Sequence, residues 1–266
     1  MKYSLGFIGC GNMGGALVRA AAKSTDGNKI AVCDFNEKKT SALANEYDVA
    51  ICSAEELVQN SKFVVLGVKP QMMQDALSPL ANLFQNRTDV TIVTMAAGLS
   101  IAAIRAMIGK DLPTIRIMPN TPVNLGEGMI LYAAEDVSEE IEKEFLASFE
   151  KAGLFDKIPE SEIDGAGALS GCGPAFTYAF AKAIANGAVA CGIPQEKADK
   201  YAAQTVLGAA KMLLAYGDPD ALIKAVCSPG GTTLAGMKAL NDGEFEKIAA
   251  SAVTAAYERT LELKKN

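Results

Sequence analysis

Two stretches of this sequence concentrate residues that could do chemistry. In Gly9-Cys10-Gly11-Asn12-Met13-Gly14 the glycines fall at the G-x-G-x-x-G spacing, directly after an apolar run. A strand, a tight turn and a helix in that order let the backbone approach a pyrophosphate, which the unpaired N–H groups and positive dipole end of the helix can hold. In Ser228-Pro229-Gly230-Gly231-Thr232-Thr233, three hydroxyls and two glycine N–H groups precede another helix, a donor set suited to a small carboxylate. The sequence contains no histidine. That excludes Ser-His-Asp and Cys-His mechanisms, H-E-x-x-H zinc sites and histidine-dependent hydroxy-acid dehydrogenases. Six cysteines are scattered without a C-x-x-C pair, so neither a metal nor a disulfide framework is expected.

These loops need elements to place them. Helical and apolar β-type patterns alternate at 12–23, 29–34, 36–46, 49–52, 54–59 and 62–68, as they do in a parallel α/β sheet. Asp34 ends the second strand about 20 residues beyond Gly14, where a ribose hydroxyl is met, and it could also cap the helix that follows. Val68-Lys69-Pro70, Ala96-Ala97-Gly98 and Met118-Pro119-Asn120-Thr121-Pro122 each follow a strand at the carboxyl edge, where open α/β sheets bind ligands. Helical segments are expected near 72–83, 100–108 and 138–151, and later strands at 90–95, 114–118, 129–133 and 154–158. Beyond residue 159 only helical patterns remain, at 163–169, 174–191, 195–216, 219–226, 233–240 and 245–263. Small residues on the long pair around Ala183 and Ala209 permit close helix approach and completion by a partner subunit. The expected organisation is therefore a Rossmann-type dinucleotide-binding domain over 1–159 and an all-helical substrate-binding and dimerisation domain over 160–266.

The 266 residues are half apolar, enough for substantial cores, and carry a net charge of −6 with no basic block. Nucleic acid and anionic membrane surfaces are not expected partners. No apolar run approaches the roughly 18 residues of a membrane span, and the chain enters its first strand without a secretory apolar region, so a soluble cytoplasmic protein is expected.

At the second glycine loop the sequence resembles the pyrroline-5-carboxylate reductases along essentially its whole length. The resemblance rests on Phe7 to Gly14, Val68-Lys69-Pro70, Ala96-Ala97-Gly98, Met118-Pro119-Asn120-Thr121-Pro122, Leu169-Ser170-Gly171-Cys172-Gly173-Pro174-Ala175, Gly208-Ala209-Ala210-Lys211-Met212 and Ser228 to Thr233. It implies hydride transfer from NADH or NADPH to the imine carbon that becomes C5 of the product, giving L-proline, in homodimers often assembled further into decamers of five dimers. The active site would lie between the Rossmann and helical domains. Thr233 would hydrogen-bond the ring nitrogen, and Ser228 with the N–H groups of Gly230, Gly231, Thr232 and Thr233 would hold the carboxylate. Lys69, Ala97 and the Asn120 loop would line the nicotinamide side. A protonated imine is already an electrophile, which agrees with the missing histidine.

Two positions depart from the family pattern. Asp34 stands where members preferring NADPH place a small polar or basic residue, and a carboxylate there favours a free ribose diol over a 2′-phosphate. Glu55, nearby, adds a second unfavourable charge, so NADH use at least comparable with NADPH is expected. Ile223-Lys224-Ala225 replaces a Lys-Asp pair common in relatives, without a functional explanation. The competing readings are a β-hydroxyacid dehydrogenase, for which Lys182 and Lys211 lack the flanking asparagine and glycine pattern, and a non-catalytic dinucleotide-binding regulator, against which the intact Ser228 to Thr233 loop argues.

Overall fold

The apolar run after Lys62 folds as a strand that sends alternate side chains to opposite faces. Phe63 and Val65 join one apolar cluster with Leu17 and Phe145, while Val64 and Leu66 join another with Leu77 and Ile104. A strand buried on both faces requires a helical layer on each side. The structure, a computed structural model, describes residues 1–264. In chain order the elements of the sheet region are β1 (Tyr3–Ile8), α1 (Asn12–Ala21), β2 (Ile30–Cys33), α2 (Glu37–Tyr47), β3 (Ala50–Ile51), α3 (Ala54–Asn60) and β4 (Ser61–Leu66). They continue with α4 (Met73–Leu77), α5 (Ala81–Gln85), β5 (Thr91–Thr94), α6 (Ile101–Ile108), β6 (Thr114–Met118), β7 (Gly128–Glu135), α7 (Glu139–Ser148), β8 (Gly153–Lys157) and α8 (Glu160–Ser170).

The strands form one sheet in the order β3-β2-β1-β4-β5-β6-β7-β8. The chain runs outward from β1 to β3, then returns to β4 on the other side of β1, which makes the carboxyl ends of β1 and β4 a topological switch point. The helix expected near 72–83 is broken by 3₁₀ turns at Pro70–Met72 and Ser78–Leu80, because Pro79 cannot donate to an α-helical ladder. One pairing departs from parallel geometry: β6 and β7 are antiparallel. Their connection is a short 3₁₀ segment, Thr121–Leu125, too brief for a parallel crossover.

The chain separates into two compact units. One is Met1–Cys172 together with the segment from Tyr257 onward, and the other is Gly173–Ala256. The second carries α9 (Gly173–Ala190), α10 (Gln195–Tyr216), α11 (Pro219–Val226), α12 (Thr232–Asp242) and most of α13 (Phe245–Leu263). Its buried apolar residues are three alanines, Ala185, Ala198 and Ala202, while Leu207, Leu213, Leu214, Val226 and Ile248 are exposed. No helix among the described residues is long and apolar enough to cross a membrane.

Candidate active site

The three glycines of the first loop are there for different reasons. Gly9 adopts φ +97°, and a Cβ on it would stand 2.7 Å from the carbonyl carbon of Gly67. A Cβ on Gly14 would stand 2.1 Å from the carbonyl oxygen of Gly9. Both positions are therefore closed to any side chain by backbone packing at the switch point. Gly11 has φ −65° and ψ −166°, a conformation open to other residues, and a Cβ on it would meet nothing within 4 Å. Neither conformation nor packing requires glycine at 11, and close approach of a ligand is the remaining use. No side chain caps α1 at this end, so its first N–H groups face the same space. The residues present fit a dinucleotide pyrophosphate.

Asp34 is more committed than the sequence suggests. Its Oδ2 accepts from the backbone N–H of Cys10 at 2.7 Å and its Oδ1 from that of Asn36 at 2.9 Å. The carboxylate thus ties the glycine loop to the turn after β2. The N-cap of α2 is Asn36, which accepts from Lys38 N, and not Asp34. The N–H of Cys10 is spent on Asp34, which leaves Gly11, Asn12 and Met13 as the loop's donors. Burial, reinforced by Asp34, pushes the Cys10 thiol up to about 12, so the loop carries no thiolate charge at neutral pH.

A cleft of about 410 Å³ opens beside this loop, lined by Gly11, Asp34, Phe35, Lys39, Val68 and Lys69 among others. Lys39 Nζ lies 3.6 Å from Asp34 Oδ1, so the acid faces the cleft with a cation beside it. A neighbouring cleft shares Gly11 and Lys39, adds Arg19 and Lys38, and among the described residues has no acidic lining, which makes the field there favourable to phosphate. Glu55 does not line the cleft. It sits in the first turn of α3, where its own N–H and the Ser53 hydroxyl hold its carboxyl below the usual range. Phe35 and Lys39 line this cleft without being part of the glycine motif. Their signal in the sequence was available, as an exposed aromatic followed by basic residues in an otherwise polar turn after β2.

On the other flank, Lys69 is exposed at the end of β4 and Pro70 opens the following turn. Ala96, Ala97 and Gly98 form a turn in which Leu99 N donates to Ala96 O, with Gly98 at φ +77°. Asn120 is 8% exposed and its amide is engaged at both ends. Nδ2 donates to Ser170 O at 3.0 Å and Oδ1 accepts from Met129 N at 3.0 Å. Its side chain therefore clamps β7 and α8 around the loop, and any contact to a cofactor falls to the loop backbone.

In the helical unit, Ser228 to Gly231 forms a turn closed by Gly231 N donating to Ser228 O at 3.0 Å, with Gly230 at φ +71°. A Cβ on Gly231 would stand 2.4 Å from Ser228 Oγ, so the pair is tightly matched. Helix α12 begins at Thr232, one residue earlier than expected, and no side chain caps it. The capping role that one hydroxyl might have filled is left open, and the first N–H groups stay free of side-chain partners. Thr233 is half-buried and borders an apolar groove with Met212, Leu213, Ile223 and Met237.

The doubly wound sheet with its glycine loop at the switch point defines a dinucleotide-binding protein. A family model described as pyrroline-5-carboxylate reductase dimerisation matches residues 160–263, and one described as NADP oxidoreductase, coenzyme F420-dependent, matches residues 4–98. The chain is 38% identical to pyrroline-5-carboxylate reductase 3 of Danio rerio over 98% of this chain and 92% of that protein, and 34% identical to the Escherichia coli (strain K12) enzyme over the full length of both. It belongs to the pyrroline-5-carboxylate reductase family, oxidoreductases acting on a C=N bond. Among solved structures, the Coxiella burnetii pyrroline-5-carboxylate reductase superposes with a TM-score of 0.89 at 29% identity, covering all of both chains. The Plasmodium falciparum pyrroline carboxylate reductase with NADP bound gives 0.88 at 28% identity, covering 99% of each chain.

Proposed function

We propose that this chain reduces L-1-pyrroline-5-carboxylate to L-proline with NADH or NADPH, the last step of proline biosynthesis, residues 1–159 binding the dinucleotide and 160–266 the substrate. The observation that carries this reading is the uncapped start of α12, where three hydroxyls and a fitted Gly-Gly pair precede free N–H groups in a chain whose other half has a dinucleotide loop. Gly11, Asn12 and Met13 hold the pyrophosphate, with Gly9 and Gly14 shaping the turn and Cys10 anchored to Asp34. Val68, Lys69 and Pro70, then Ala96, Ala97, Gly98 and the Asn120 loop, line the nicotinamide side. When bound, the cofactor would supply the hydride taken up by the imine carbon, C2 of the pyrroline ring and C5 of the proline formed.

What the protein itself does is bind and orient. Ser228 and the N–H groups of Gly230, Gly231, Thr232 and Thr233 hold the carboxylate. Thr233 Oγ1 hydrogen-bonds the ring nitrogen. A threonine hydroxyl has too high a pKa to give up a proton at neutral pH, so it orients the iminium while solvent supplies the proton. Spectrophotometric oxidation of NADH or NADPH on adding pyrroline-5-carboxylate tests the whole reading, and absence of turnover with both cofactors overturns it.

The cofactor choice follows from the ribose edge of the cleft. Asp34 favours a free diol, so NADH serves at least as well as NADPH, while Lys39 beside it provides the cation that a 2′-phosphate needs. Lys39→Ala is expected to weaken NADPH binding about tenfold, the loss of one charge-assisted contact, and to leave NADH within about twofold. Fluorescence titration with each reduced cofactor measures this, and equal changes for the two would remove Lys39 from the 2′-phosphate. The working enzyme is read as a cytoplasmic homodimer joined through the helical half, with five dimers making a decamer. Light scattering and cell fractionation check both.

A further inference from the structure

We infer that Arg116, Glu160 and Asp164, completed by Lys264, are positioning residues for hydride transfer: they fix the two strand-end loops on which the nicotinamide ring lies. The inference rests on the proposed placement of the 96–98 and Asn120 loops at that ring.

Arg116 stands between Ile115 and Ile117 in β6 and is 1% exposed. Its Nη2 donates to Asp164 Oδ1 at 2.6 Å and its Nη1 to Glu160 Oε1 at 3.2 Å. The two carboxylates are four residues apart on α8 and so share one face of that helix. Asp164 is 3% exposed, and its second oxygen has no aligned hydrogen-bond donor, its partner being the ammonium of Lys264 just beyond α13.

The connections run to both loops. Glu160 Oε1 also accepts from Ile101 N at 2.7 Å, so one carboxylate grips the start of α6, which leaves the Ala96 to Gly98 turn, and the strand that leads into Asn120. Lys264 backs the same turn: a Cβ on Gly98 would stand 3.4 Å from its Cγ. At the far end of α8, Ser170 O takes the Asn120 amide, and Met118 packs against Gly167 so closely that a Cβ there would stand 2.8 Å from its Cγ. Helix α8 is thus fastened along its length to β6 and its loop.

Stability alone is a poor reason for this arrangement. Buried ion pairs can generally be replaced by apolar side chains of similar volume without loss, and here the buried Nε of Arg116 has no hydrogen-bond partner among the described residues. What charged, directional contacts provide and apolar packing does not is a fixed orientation. Hydride transfer depends on such orientation steeply.

The test uses the full-length protein with Asp164→Asn, Glu160→Gln and Lys264→Ala, and Lys264→Arg as the conservative control. Asp164→Asn is expected to lower kcat at least about tenfold, with an isotope effect from 4-deuterated NADH no smaller than wild type and with the NADH Kd unchanged within about twofold. The fluorescence intensity and anisotropy of saturating bound NADH, which report the freedom of the nicotinamide ring, should shift in the same variants, and Lys264→Arg should restore them. Glu160 is 29% exposed, so its variant carries the test if Asp164→Asn does not fold. Wild-type fluorescence of bound NADH, with activity scaling only with the folded fraction by circular dichroism, would overturn the inference. A wild-type protein inactive on the imine would instead overturn the proposed reaction, and the fluorescence of bound NADH would still decide the role of the network.

Discussion

Thr233→Ala is expected to lower kcat/KM for pyrroline-5-carboxylate by about a hundredfold or more, the usual effect of removing one preorganised hydrogen-bonding group from a reacting centre, while the NADH Kd stays within about twofold. The expectation follows from how little acid-base chemistry this protein has available. It lacks histidine entirely, and in the proposed reaction the iminium N–H is held by a neutral hydroxyl oxygen that accepts from it. Thr233 sits in the first turn of α12 and borders an apolar groove that offers no competing polar side chain on that side. Thr233→Ser keeps the hydroxyl and should recover most of the activity. Steady-state kinetics together with an NADH titration separate the two halves of the claim. Turnover at the wild-type rate in Thr233→Ala would remove the hydroxyl from the mechanism.

Gly14→Ala and Gly11→Ala are expected to fail in opposite ways. At Gly14 the added methyl points at the Gly9 carbonyl oxygen, 2.1 Å away, and both groups are backbone at the crossing of β1 and α1. Nothing flexible can yield, so the variant loses upwards of about 3 kcal/mol and its melting temperature falls by several degrees or more. At Gly11 the methyl enters open space in a permitted conformation, and the melting temperature is unchanged. It stands instead where the pyrophosphate meets the start of α1, and dinucleotide affinity falls at least about tenfold. Thermal melts and NADH titrations on the two proteins show this crossover. A Gly11→Ala protein that binds NADH normally would mean that glycine 11 has no ligand role.

Much of this was readable from the sequence, and what was not has a common cause. The run of Phe63 to Leu66 declares a doubly buried strand because its alternation is local, and the glycine spacing declares a turn for the same reason. The long helices at 195–216 and 245–263 have the bounds that periodicity implies, those of α10 and α13. The antiparallel β7 was not foreseen, since the direction of a strand depends on the length of the connection that precedes it. Nor were the partners of polar side chains. Asp34 looks like a wholly free acid until Cys10 and Asn36 are seen each donating to one of its oxygens, which leaves only the remaining lone pairs for a ribose. Asn120 looks like a cofactor ligand until both ends of its amide are found engaged. The strongest unused signal was Arg116, a cation inside the apolar strand Ile115-Arg116-Ile117. Such a residue announces buried carboxylates, but nothing in the local pattern says that they lie on α8.

The three-alanine core of the helical unit has a consequence for the protein as a population of molecules. A unit that buries so little within its own chain has no appreciable stability by itself. Its exposed leucines and valines lie within the 160–263 stretch that matches the family's dimerisation model, and under the proposed dimer they are covered by another copy. Under that dimer the free energy that keeps the unit ordered contains a mass-action term, and dilution would act on the protein as a denaturant does. Halving the amount of protein would then lower the amount of dimer by more than half, and refolding after dispersal would be second order in chains.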